Sequence, residues 1–195
     1  MKLNRKYFLF YKLLNSSFTG LSIGILFTIY KPLEDPSIYS LGGIFLAASM
    51  LLVAMFYEKL LNITSFSKIS LFVELIMLIS LLIFLIYKIS FVSALIIYCL
   101  YQLTFVFGGY LVRAETLVAN DKEYLGRIDI LKQLGYLIGL SLSYFFYKIV
   151  EYLYHLHYIL LQHHDQISQI EMIHYPLFVL QLFVIIFLSL SFKRD

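Results

Sequence analysis

The chain has 195 residues, of which 61% are hydrophobic and 14% charged, with a formal net charge of +3. Its mean hydropathy is +0.85. A water-soluble fold of this size has too little interior for so much apolar surface, because soluble domains carry roughly 45–50% apolar and roughly 25% charged residues. Disorder, nucleic-acid binding and a secreted disulfide scaffold are excluded with it, and the single Cys99 has no partner for an internal bridge.

Six apolar stretches succeed one another, at about 7–30, 37–57, 69–87, 89–112, 128–148 and 175–192. A helix rises 1.5 Å per residue, so about 20 residues cross a bilayer core roughly 30 Å thick. Runs such as Leu78–Tyr87 are apolar on every side, which excludes the alternation of a lipid-facing barrel strand. Lipid also requires backbone groups to pair within each segment. The expected fold is all-α: a polytopic membrane protein, one domain over 1–195, with six transmembrane helices. Pro32, Pro36 and Pro176 fall between spans or at the start of one, and Ser37 and Ser90 sit where helices begin. The basic stretch Met1–Lys12 is followed by no cleavage pattern, so the first span is read as retained. No internal repeat of two three-helix units is evident.

The first helix carries Ser16, Gly20, Gly24 and Thr28 at every fourth position, a pattern for close helix packing. Asn15, Thr19 and Ser22 share one of its faces. The second helix offers Gly43 and Ala47. The third holds Glu74 about five positions in; an intramembrane carboxylate reads as a structural anchor or, alternatively, as a proton or ion relay. Gln102 lies near the middle of the fourth helix, with Tyr98 and Phe105 on its side. After it come Arg113 and Glu115, then Asp121, Lys122, Glu123, Arg127, Asp129 and Lys132, alternating charges that suit a solvated loop or a conformational latch. The fifth helix opens with Gln133 and Tyr136 and carries Gly135, Gly139 and Ser143 for packing. An outer segment, about 149–172, reads as an amphipathic extension at the interface. All five histidines, His155, His157, His163, His164 and His174, fall between Glu151 and His174, with no Cys or paired carboxylate to complete a metal site.

Basic residues give the orientation. With the N-terminus inside, twelve Lys and Arg fall on inner segments against three outside, Lys31, Lys88 and Lys148. Both termini are therefore expected in the cytoplasm, with the chain in the cytoplasmic (inner) membrane. No zinc helix, phosphate loop, dinucleotide fingerprint or nucleophile elbow occurs, so no enzyme, cofactor or metal is expected.

The segment Ala54-Met-Phe-Tyr-Glu58-Lys59 stands where major facilitator superfamily transporters carry a loop of the form G-x-x-x-D-R-x-G-R-R, with Ala for Gly, Glu58 for Asp and Lys59 for Arg. The following Gly-Arg-Arg is missing. Glu115, and the pair Gly135 and Gly139, also resemble features of that family. The chain resembles the N-terminal six-helix half of such a transporter. The resemblance implies a latch of Glu58, Lys59 and Glu115, a lining of Asn15, Thr19 and Gln102, and a peripheral Glu74; Arg113 joins the latch candidates, and Gln133 and Tyr136 the lining candidates, by their own positions in the chain. It also implies a second half: a homodimer, or another six-helix membrane protein, working by alternating access on a small-molecule substrate. The alternative is a non-transporting accessory or assembly subunit of a larger membrane complex. A third reading is the substrate-binding subunit of a vitamin or metal importer.

Overall fold

Side chains at the helix starts define the elements. The computed structural model describes residues 2–158 and 166–193. Asn4 caps α1 (Arg5–Ile29) by accepting from Tyr7 N, and Asp35 caps α2 (Pro36–Met55) by accepting from Ser37 N, with Pro36 in the first turn. That bond holds the Asp35 carboxyl below its ordinary range. A short α3 (Tyr57–Leu60) leads to Asn62, which caps α4 (Ile63–Tyr87). Ser90 and Ser93 form a reciprocal capping box at the start of α5 (Phe91–Val106). The chain then runs through α6 (Gly108–Ala119), the 37-residue α7 (Lys122–Tyr158) and α8 (Gln166–Ser191). Ser90→Ala is expected to cost about 1 kcal/mol of unfolding free energy, measured by denaturant titration in detergent. No change there would make the capping box dispensable.

A two-residue antiparallel pair, β1 (Lys2–Leu3) with β2 (Phe192–Lys193), ties the two chain ends together, so both lie at one end of the bundle. Rings of Phe8, Phe66 and Phe192, the last from β2 itself, pack together in one of the two main buried clusters. At the opposite end Tyr30, Tyr39 and Tyr98 meet edge to face.

Neighbouring helices follow the order α2, α5, α4, α8, α1, α7. Read from its other end, this order is the same once α1, α2 and α4 are exchanged with α5, α7 and α8. The order of neighbours is thus symmetric between the first three and the last three of these helices. Helices α1 and α7 run parallel, Gly135 meeting Leu13, Gly139 meeting Ser17, and Tyr147 lying beside Gly24. The α2–α3 stretch runs parallel to α5–α6 too, from Gly42 at Tyr98 to Met50 and Tyr57 at Gly109.

Five helical stretches among the described residues are long and apolar enough to cross a membrane: α1, α2, α4, α5 with α6, and Met172–Ser191 of α8. The stretch 128–148 within α7 is not among them, because Lys132, Gln133, Lys148 and its tyrosines dilute it. Two expectations are corrected. Pro176 does not open a helix but sits inside α8, which begins ten residues earlier. His174 belongs to no outer loop. It is buried in α8, stacked on Phe84 at 3.7 Å between ring centres, with Nδ1 2.7 Å from the Ile170 carbonyl. His155 and His157 fall in α7, while His163 and His164 lie outside the described residues.

Candidate functional site

Two polar clusters meet on α1, which carries consecutive members of each. In the first, Glu74 of α4 is buried, 3% exposed. Tyr11 Oη donates to its Oε1 at 2.7 Å and Asn15 Nδ2 to the same oxygen at 2.6 Å. Gln181 Nε2, from α8, donates to Oε2 at 2.9 Å and to the Glu74 carbonyl at 2.9 Å. Donors from three side chains converge on the carboxylate, the arrangement that best replaces water around an anion. Gln181 Oε1 is buried without a partner.

In the second cluster the buried Glu115 of α6 takes two ammonium groups, Lys12 from α1 on Oε2 and Lys132 from α7 on Oε1. Lys12 also lies 5.2 Å from the ring centres of both Phe8 and Tyr11. Lys132 has a second, looser carboxylate in Asp129 at 3.6 Å, whose side chain is 72% exposed. Nearer the chain ends, Arg5 pairs with Asp121 at 3.2 Å and lies over the Tyr124 ring, whose hydroxyl donates to the Arg5 carbonyl.

Beside Lys132 a groove of about 300 Å³ opens between α1 and α7, lined by Ser16, Thr19, Lys132, Gln133 and Tyr136. Three residues expected to line a path, Thr19, Gln133 and Tyr136, therefore come together. Asn15 does not join them, since its amide is committed to Glu74. Gln102 lies elsewhere, on α5, with its Oε1 buried and unpartnered. The α1–α7 contact below the groove is backbone on backbone at Gly20, Gly135 and Gly139. Gly24 makes only ordinary contact there, with the Tyr147 ring at 3.8 Å. Gly43 has nothing within 4 Å of where a Cβ would stand; the close approach of α2 is made instead by Gly42, against the Tyr98 ring.

The latch residues part company. Glu115 is held by Lys12 and Lys132 rather than by Lys59, and Arg113 lies over the Tyr57 ring at 5.4 Å. Glu58 and Lys59 are exposed and pair with no other described residue. Gln181 escaped the sequence reading. Its signal is plain in retrospect: it is the one polar side chain in the apolar run 177–188. No family model, curated protein or solved structure matches this chain.

Proposed function

We propose that this chain is one half of a membrane carrier, crossing the cytoplasmic membrane six times and pairing with a second copy to move a small solute by alternating access. The observation that carries this reading is the groove of Ser16, Thr19, Lys132, Gln133 and Tyr136, which is open on the outside of a single copy. It lies about 20 Å along α1 by helical rise, at the depth of apolar neighbours. Polar and charged groups facing lipid there are costly, so the groove calls for a partner or a water path.

The sixth crossing in this proposal is α7. It lies parallel to α1 from Arg5 at Tyr124 to Gly24 at Tyr147, so it shares the depth of a helix that is itself long and apolar enough to cross. Chain ends paired at one end of the bundle agree with an even number of crossings. The basic residues concentrated at that end favour placing it in the cytoplasm. A neighbour order symmetric between the first and last three of these helices also agrees with a carrier half built from an internal repeat. Glu58, Lys59 and Arg113 then face the cytoplasm, and Glu74 acts as an anchor among α1, α4 and α8.

A second reading, an assembly subunit without transport, draws on α2, which has no buried residue and packs chiefly on α5. One experiment separates the two. In a Cys99→Ser background, a cysteine at Gln133 is expected to react with a membrane-impermeant maleimide in sealed vesicles of both orientations, and the native mass in mild detergent is expected to be that of a dimer. An unreactive cysteine, or a stable complex with unrelated subunits only, would replace the carrier reading with the assembly one.

A further inference from the structure

The α1–α7 groove contains one charged group, and its surroundings specify the charge of its occupant. We infer that the groove binds a small organic anion through a carboxylate group, with Lys132 as the residue that selects for it; this rests on the carrier reading above. Glu115 is buried and holds two ammonium groups where one would neutralise it. Lys12, with a side chain only 13% exposed, is the inner of the two. Lys132 is 29% exposed and lines the groove. It can therefore turn toward a ligand without stranding the Glu115 carboxylate, which keeps Lys12. Stranding would be the costly event, because an unpaired buried charge is far more expensive than an exchanged one. Asp129 offsets Lys132 only weakly, being 3.6 Å away and largely open to solvent.

The remaining lining supplies the other half of the recognition. The Ser16 hydroxyl, the Gln133 amide and the Tyr136 hydroxyl make no side-chain hydrogen bond to another described residue, so their donors are available to a carboxylate and its substituents. The Thr19 hydroxyl donates to the Asn15 carbonyl at 3.1 Å, which leaves it only as an acceptor for a hydroxyl or amide on the solute. The volume, about 300 Å³, is at the small end of ligand sites. A cationic solute would instead meet Lys132 with no carboxylate in the lining to receive it.

The test uses the full chain in nanodiscs and reads thermal unfolding against rising concentrations of acetate, lactate and benzoate, with their neutral amides and matching amines as comparisons. Carboxylates are expected to raise the melting temperature where amides and amines do not. Lys132→Gln is expected to weaken the apparent affinity at least tenfold, and Lys132→Arg to restore most of it. Because Lys132→Gln also loosens Glu115, Gln133→Ala provides a second variant away from the ion pair, expected to weaken the carboxylates by a smaller factor. Equal binding of carboxylates by Lys132→Gln, or preferential stabilisation by amides or amines, overturns the anion assignment while leaving a solute groove in place. No response to any solute of either charge removes the carrier reading along with it.

Discussion

Gly139→Leu is expected to separate α7 from α1 and to produce the largest stability loss of any single helix-interface substitution in this chain. A Cβ at Gly139 would stand 2.8 Å from Leu21 N and 3.0 Å from Gly20 Cα, and would run into the Ser17 carbonyl. These are backbone atoms, which no rotamer change can move aside. Gly20 has the reciprocal problem, with Leu140 N at 2.9 Å and the Tyr136 carbonyl closer still. The helices must therefore part by a side-chain diameter. Overpacking a soluble core costs typically 1–3 kcal/mol. Here the expected loss is at or above about 3 kcal/mol, since the whole parallel contact is displaced and lipid offers no hydrophobic force to re-form it. Gly24→Ala is the matched control, meeting only the Tyr147 ring at 3.8 Å. Gly126→Ala, with nothing within 4 Å, is expected to gain up to about 1 kcal/mol from helix propensity alone. Unfolding in mild detergent, followed by circular dichroism, ranks the three. A Gly139→Leu protein as stable as the parent would show that the helices do not touch at the glycines.

The spacing of small residues marks each helix for close packing, Ser16 and Gly20 on one and Gly135 and Gly139 on the other, but does not say that the two pack on each other. Apolar run lengths likewise locate the helices that make up the bundle. What the runs could not convey was continuity. The polar start of α4 at Ile63 and the unbroken 37 residues of α7 follow from caps and tertiary packing rather than hydropathy. Pro176 misleads for a related reason. A missing N–H usually favours a helix start, yet neighbouring helices support α8 through it. His174 reads as the end of a histidine-bearing outer segment, whereas it stands inside α8 with its ring stacked on Phe84. Glu74 shows the deeper limit. Its position in an apolar helix was plain, but its partners come from positions 11, 15 and 181, and no local pattern connects them. The symmetry of the neighbour order is hidden in the same way, because packing order is a property of contacts between segments and leaves no periodic mark within one.

Replacing Glu74 by Leu is the second large effect expected, about 2–4 kcal/mol of destabilisation, and its size distinguishes an anchor from a bystander. The substitution leaves the Tyr11 hydroxyl and the Asn15 amide without their acceptor, while Gln181 retains the residue-74 carbonyl. A buried donor stripped of its partner costs roughly 1–3 kcal/mol. Interhelical hydrogen bonds in membranes average only about 0.6 kcal/mol, because loosened groups find new partners. Asn15, half-buried, can do so; Tyr11, 4% exposed and under the Phe8 ring, has less freedom. Glu74→Gln is expected to lose less, about 1–2 kcal/mol. Its amide oxygen can still accept from Tyr11 and Asn15, but its NH₂ then confronts Gln181 Nε2, donor against donor. The decisive variant removes both sides together. Glu74→Leu combined with Tyr11→Phe and Gln181→Leu replaces the polar tie with apolar packing, and should recover most of the loss seen in Glu74→Leu alone. Such recovery means that the carboxylate exists to satisfy its neighbours. If the triple variant is instead as unstable as the single one, the charge of Glu74 itself supports the fold, acting on the nearby Lys12 and through it on the pair with Glu115.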